Sequence, residues 1–255
     1  MLKQNKYEII KKSEIAEGIF DFTILCEDVA TIAEPGQFVH ISVPGYFLRR
    51  PISICEIDKD RGTIRIVVQV RGNGTEAMSK LEVGEKMDLL GPLGNGFTIN
   101  DSNDSVVLIG GGIGTPPMLA LADIYKEKAA VITGFRTKSL SILSDDFKNT
   151  GARLTLCTDD GTLGRKGFVT DALLEEIKNN KPKKVYACGP MIMLKGISEI
   201  CRKNDIDCEI SLEERMACGV GACLGCAVKL CRDGNEFYGH VCKDGPVFSS
   251  KEVVF

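Results

Sequence analysis

Four cysteines toward one end of the chain constrain it more than any other feature. Cys218, Cys223 and Cys226 stand in a C-x4-C-x2-C run, and Cys242 follows further on. Thiolates at that spacing are the protein side of a plant-type [2Fe-2S] cluster. The loop has to wrap tightly around such a group. Gly219, Gly221 and Gly225 allow it, because glycine tolerates positive φ and leaves main-chain amides free to approach sulfur. Residues 227–230 read as a strand, Arg232-Asp233-Gly234-Asn235 as a hairpin turn, and residues 236–241 as the return strand that ends on Cys242. Cys231 is the rival fourth ligand, but its odd offset from Cys226 turns it to the opposite face of a regular strand. The expected metal ligands are therefore Cys218, Cys223, Cys226 and Cys242. Four thiolates also suit structural zinc, but zinc sites usually pair two short Cys knuckles, whereas this segment offers a three-cysteine loop and one distant cysteine. The spacing favours iron and sulfide.

The remaining cysteines are scattered singly among apolar or mixed neighbours, and the total of 11 is odd. With no apolar h-region near the first residue, a disulfide framework is not expected, and a reducing, cytoplasmic setting is. A net charge of -3 gives no basic footprint for nucleic acid. Residues 106–122 are the longest apolar run, but four glycines and two adjacent prolines make it a poor membrane span. The 255 residues suffice for two domains and a small appendage.

Three segments differ in pattern. Residues 1–100 hold short strand-like runs at 38–43, 63–70 and 86–90, punctuated by Pro35-Gly36, Pro44-Gly45 and Gly91-Pro92, the pattern of a small antiparallel barrel. After the polar stretch 100–105, strand-like and helix-like runs alternate through residues 101–210. The strands are expected at 106–109, 129–133, 153–157 and 185–188, and the helices at 116–126, 140–147, 171–178 (capped by Thr170) and 191–203. Such alternation implies a parallel sheet with helices on both faces. Residues 211–255 hold the cysteine cluster and are too few for a core of their own. The expected fold class is thus multi-domain, β plus α/β.

Two motifs in the barrel segment invite a ligand. In Arg49-Arg50-Pro51-Ile52-Ser53 an arginine can hold a pyrophosphate and a serine can bond a flavin edge, although a charged edge strand reads the same way. Gly72-Asn73-Gly74-Thr75 leads into a helical stretch at 76–81 and offers amides to a phosphate, or is an ordinary turn. In the α/β segment, Gly110-Gly111-Gly112-Ile113-Gly114-Thr115-Pro116 follows the first strand. It departs from G-x-G-x-x-G at Thr115, and its position suits a pyrophosphate, a nicotinamide ring or simply a tight turn. Cys188-Gly189-Pro190-Met191 ends a later strand and is expected to share the same crevice. Asp159-Asp160 is a weaker candidate there.

Taken in order, these motifs resemble the ferredoxin–NADP reductase superfamily and, within it, the electron-transfer subunits of class B dihydroorotate dehydrogenases. The resemblance covers the whole chain. It implies an N-terminal antiparallel flavin-binding β-barrel (1–100), a ferredoxin-reductase-like parallel-sheet nucleotide domain (101–210) and a small [2Fe-2S] domain (211–255). It also implies that Arg50, Pro51, Ile52, Ser53, Gly74 and Thr75, with Val67, Val68 and Gln69 of the preceding strand, hold FAD. Gly110, Gly111, Gly112, Gly114, Thr115, Pro116, Cys188, Gly189, Pro190 and Met191 would hold NAD. Many superfamily members have an aromatic where Ile52 stands, so ring stacking is lost there. The implied partner is an FMN-containing dihydroorotate dehydrogenase catalytic subunit in a heterotetramer of two of each. Electrons would run from FMN through the cluster and FAD to NAD+, with no side chain acting as acid or base in hydride transfer. The flavin subunits of sulfide dehydrogenases and NADH-dependent ferredoxin:NADP oxidoreductases look alike, but tend to carry Asp where Cys218 stands. A non-enzymatic iron–sulfur redox sensor is a more distant reading.

Overall fold

Strands of the first unit alternate apolar and polar residues, and closing them on one another buries the apolar set. The structure, a computed structural model, describes residues 2–255. β1 (Lys3–Ala16), β2 (Ile19–Leu25), β3 (Phe38–Ser42), β4 (Arg50–Asp58), β5 (Thr63–Gln69) and β6 (Lys86–Leu93) form a closed barrel in the order β1-β2-β5-β4-β3-β6. All its neighbours run antiparallel, and β1 closes the ring on β6 from Lys3↔Gly91 to Glu8↔Lys86. Phe22, Ile24, Val39, Ile41, Ile54, Ile64, Ile66, Val68, Met87 and Leu89 fill the interior. Val29 and Ala30 of the short helix α1 (Glu27–Ala30) and Met78 of α2 (Asn73–Ser79) join that core.

This unit comprises the residues up to Gly96 together with Glu213–Val228 and Tyr238–Pro246. Asn95 holds the last of these segments. Its amide N–H donates to the Gly245 carbonyl at 2.6 Å, and its side chain donates to the carbonyls of Lys243 and Asp244, each at 3.0 Å. The second unit comprises Phe97–Leu212, Lys229–Phe237 and Val247–Phe255. In the tail, β13 (Ala227–Arg232) and β14 (Asn235–His240) make a two-stranded hairpin that turns at Asp233 and Gly234, both at positive φ.

The second unit is a seven-stranded sheet. In it β7 (Val106–Gly111), β8 (Ala129–Phe135), β9 (Arg153–Thr158), β10 (Arg165–Lys166), β11 (Lys184–Cys188) and β12 (Asp207–Ser211) are parallel, and β15 (Val247–Ser249) closes one edge antiparallel. The order is β10-β9-β8-β7-β11-β12-β15. Helix α3 (Pro117–Tyr125) packs with α4 (Ser144–Asn149), and α5 (Val169–Asn179) with α6 (Met191–Lys203).

Local readings needed correction at three helices. Thr170 is not the cap of α5: the helix starts at Val169, and the Phe168 amide donates back to Asp171 Oδ2 at 3.3 Å. Residues 140–147 are not one helix, because Leu143 takes a left-handed φ of 62° between a 3-10 turn and α4. α2 begins at Asn73, inside the glycine turn, because the Thr75 hydroxyl caps that turn.

One buried ion pair fixes the lower end of the sheet. Lys184 Nζ donates to Glu209 Oε1 at 2.8 Å and to the Thr98 carbonyl at 3.1 Å, and lies 5.0 Å from the Tyr186 ring centroid. Both charged groups are largely shielded from water. Lys184→Ala, which leaves the Glu209 carboxylate without its counter-charge and with only the Thr98 amide, should lower stability by about 3 kcal/mol in urea unfolding, whereas the exposed Lys148→Ala should cost about 0–1 kcal/mol.

Candidate functional site

Arg50 opens β4, and its guanidinium lies flat on the chain at Gly74. A Cβ built on Gly74 would fall 2.3 Å from Arg50 Nε and Nη2. The guanidinium also stands over the Tyr46 ring at 5.4 Å and donates to the Leu48 carbonyl. Thr75 Oγ1 accepts from the amides of Arg71 (2.9 Å) and Gly72 (3.2 Å) and donates to the Gly72 carbonyl. Its hydroxyl is thus committed to shaping the turn. Pro51, Ile52 and Ser53 pair with His40, Val39 and Phe38 of β3. On β5 the Val68 side chain belongs to the barrel core, so Val67 and Gln69 share the outward face and Val68 has only main chain to give. A fixed guanidinium over a glycine turn suits an anionic diphosphate.

In the second unit two glycine loops meet at the carboxyl ends of β7 and β11. Gly114 has no room for a side chain: its Cβ would lie 2.6 Å from the Cys188 carbonyl and the Gly189 nitrogen. Gly111 abuts Pro190 and Met193, and Gly110 abuts Thr115. Gly112 takes a left-handed φ of 54° with open space around it. Thr115 is fully buried, and among the described residues its hydroxyl finds no partner. Pro116 caps α3, and Met191 opens α6 with its side chain partly exposed. Asp160 does not point a free carboxylate at this place: its Oδ1 accepts from the Thr162 amide (2.9 Å) and hydroxyl (2.7 Å). These bonds hold its pKa below the usual carboxylate range.

The four cysteines come together in two pairs. The Cys218 and Cys223 thiols are within hydrogen-bonding reach of one another, as are those of Cys226 and Cys242. Main-chain amides point at the sulfurs: Val220 at Cys218 Sγ (3.4 Å), Gly221 at Cys242 Sγ (3.1 Å) and Cys242 at Cys226 Sγ (3.5 Å). Burial pushes the Cys218 thiol up, but the amides of Val220, Cys223 and Ala222 outweigh it and bring the pKa to about 6. Cys242 is pushed up to about 12 by burial and by Cys226. Among the described residues no group of three or more His, Cys, Asp or Glu side chains stands close enough to hold a metal ion; main-chain amides aimed at thiol sulfur are what a two-iron cluster would use. Cys231 sits on β13, where its amide donates to the Glu252 carbonyl at 2.7 Å.

His40 went unnoticed in the sequence. It lies on the outward face of β3, yet it is fully buried, because the cysteine loop covers it: a Cβ on Gly219 would fall 2.4 Å from His40 Nδ1. Burial, with Arg49 and Arg50 nearby, lowers its pKa to about 4. The available signal was a lone ionisable residue between core positions Val39 and Ile41.

Such a barrel, with a phosphate-type arginine and a four-thiol loop seated on it, and a parallel sheet with paired glycine loops, define a ferredoxin-reductase-like oxidoreductase with its own iron–sulfur segment. The comparisons agree. Residues 6–97 match the oxidoreductase FAD-binding domain, 108–199 the oxidoreductase NAD-binding domain, and 213–254 the iron-sulfur cluster binding domain of dihydroorotate dehydrogenase B. A "Dihydroorotate dehydrogenase B (NAD(+)), electron transfer subunit" from Caldanaerobacter subterraneus subsp. tengcongensis is 40% identical over 252 residues, covering 98% of each chain. One from Bacillus mycoides is 39% identical over 263 residues, covering 100% of this chain and 99% of its own. The chain belongs to the family of dihydroorotate dehydrogenase B electron transfer subunits. The solved structure of an NADH-dependent reduced ferredoxin-NADP oxidoreductase superposes with a TM-score of 0.86 at 35% identity, covering 97% of this chain and 89% of that one. The ferredoxin reductase of carbazole 1,9a-dioxygenase (TM-score 0.69, 18% identity, 80% and 67% covered) shares the fold.

Gly114→Ala should therefore weaken NADH binding by roughly tenfold or more in fluorescence titration and leave the FAD content of the purified protein unchanged. Its methyl would have to displace the Cys188–Gly189 main chain.

Proposed function

We propose that the chain carries electrons from an FMN-containing dihydroorotate dehydrogenase catalytic subunit, which oxidises dihydroorotate to orotate for pyrimidine synthesis, to NAD+. The complex is a cytoplasmic heterotetramer of two of each subunit. The observation that carries this reading is the seating of the thiol loop on β3, the strand paired with the Arg50–Ser53 segment of β4. FAD, when bound, supplies the exchange between the hydride chemistry of a nicotinamide and the one-electron chemistry of a [2Fe-2S] cluster. The chain's own residues bind and orient. Cys218, Cys223, Cys226 and Cys242 hold the iron, and the amides of Val220, Gly221 and Cys242 stabilise charge on sulfur. Arg50 holds the FAD pyrophosphate, Ser53 and the β5 main chain meet the flavin ring, and Gly74 and Thr75 shape the turn beneath. Gly110–Gly112, Gly114–Pro116 and Cys188–Met191 form the NAD crevice, with the Thr115 hydroxyl as its buried polar group. No side chain is needed as general acid or base.

A partner is supported by the surface around the thiol loop. Leu224 (78% exposed), Val220 and Tyr238 present apolar area in the same unit as the cysteines. Exposed apolar side chains beside the thiol loop are where a protein partner would find area to bury. Among the described residues no helix is long and apolar enough to cross a membrane, and the net charge of -3 gives nucleic acid no footprint.

The test is anaerobic reduction of the chain co-purified with its partner. Dihydroorotate without NAD+ should bleach both flavin and iron–sulfur absorption, and NADH should bleach them in the chain alone. If NADH bleaches the bands and dihydroorotate with the partner does not, the dihydroorotate assignment fails. Reduced ferredoxin is the donor to try in its place, given the structural likeness to the ferredoxin-NADP enzyme. Cys242→Ser should remove the cluster spectrum and dihydroorotate-driven NAD+ reduction while flavin reduction by NADH persists. Cys231→Ser should keep all three.

A further inference from the structure

The assignments above leave a fully buried histidine of the barrel unit unused. His40 is fully buried on the outward face of β3, while its neighbours Val39 and Ile41 belong to the core. Among the described residues neither ring nitrogen completes a hydrogen bond of good geometry, although the main chain of Arg49 and of Cys218 lies close to the ring. A buried polar group in that state costs about 1–3 kcal/mol, a cost that an apolar side chain of the same size would not carry. The residue is held from two sides, at its ring and at its main chain. On one, Gly219 takes a left-handed φ of 72° and gives up its Cβ position to Nδ1. On the other, the His40 carbonyl accepts from Arg49 Nη1 at 3.1 Å, Arg49 pairs with Asp88 at 2.8 Å, and His40 itself pairs with Pro51, between Arg50 and Ile52. One side chain therefore touches the residue next to Cys218 and belongs to the strand beside the flavin-type motif.

We propose that His40 is a positioning residue for electron transfer: it seats the Cys218–Gly219 turn on the barrel and turns its Nδ1 edge toward the cysteine loop, fixing where the cluster stands relative to the flavin strand. The step it serves is transfer of a single electron between two bound groups, with no bond made or broken. The inference rests on the ligation and flavin assignments proposed above.

The experiment uses the full chain, reconstituted with FAD and iron–sulfide and reduced anaerobically with NADH. His40→Leu keeps the volume and removes both nitrogens, and His40→Asn restores a polar nitrogen near the Nδ1 position. The expected result is that His40→Leu folds, keeps its FAD and is reduced at the flavin by NADH at the normal rate. Its reduced cluster should show shifted EPR g values, and NADH-driven appearance of the EPR signal should slow by roughly tenfold. His40→Asn should recover most of both. A merely structural histidine predicts the opposite, a His40→Leu protein at least as stable as the parent with an unchanged EPR spectrum and rate, and that outcome overturns the inference. If His40→Leu loses its FAD, Gly219→Ala presses on the same contact from the loop side. Altered g values with FAD retained support the inference, and unaltered ones overturn it. Absence of any [2Fe-2S] signal in the parent chain would instead sink the ligation reading, so the two failures are told apart.

Discussion

Each candidate cofactor cradle in this protein depends on a side chain that is missing. At Gly74 the absent Cβ is filled by the Arg50 guanidinium, at Gly114 by the Cys188–Gly189 main chain, and at Gly219 by the His40 ring, all within 2.3–2.6 Å of where a methyl would begin. Real Cβ atoms do not come so close to anything. The three glycines are thus sites of direct approach between segments far apart in sequence, as are Gly94, Gly96 and Gly134. A methyl at any of them would push apart two segments that the fold holds in contact. That is a stronger constraint than turn-making alone, for which Asn or Asp can sometimes substitute.

The tail obeys a different constraint. Residues beyond Leu212 cannot bury enough apolar surface to stand alone, so they are distributed: Glu213–Val228 and Tyr238–Pro246 with the barrel, Lys229–Phe237 and Val247–Phe255 with the sheet. The four candidate ligand thiols fall entirely in the barrel's share, and Cys231 in the sheet's. β15 supplies Val247 and Phe248 to the edge of the sheet beside β12, covering an edge that would otherwise be open to pairing.

The cysteine spacing and the glycine loops were legible in the sequence because the chemistry they serve needs particular residue types a few positions apart. α6 was legible to the residue, its apolar side chains recurring at helical spacing. β1 was not. Over 14 residues only Tyr7 and Ile9 are buried, and its place is set by pairing with β2 and β6, which no local pattern encodes. β15 escaped for the same reason, since it is three residues long and exists through β12. Thr170 was misread because a threonine before an acidic residue looks like a cap wherever the helix truly begins. His40 shows the limit most clearly: what buries it lies far along the chain in the cysteine loop, and alternation alone would have put it in water.

The two nucleotide-type sites are built on opposite principles, and the sheets explain why. β7 lies between β8 and β11, so the chain leaves β7 toward one side and later returns on the other. Such a switch in strand order is where open α/β sheets hold ligands, and here the loops after β7 and β11 come together above the sheet. Main chain can then line the site, and close approach at Gly111 and Gly114 replaces charged side chains. An antiparallel barrel has no such point: its strands return on themselves and its ends are closed by core residues. A ligand there has to lie on the outer surface. Charge would be brought to it by a long side chain, the part proposed for Arg50, which lies beside Tyr46 and against Gly74.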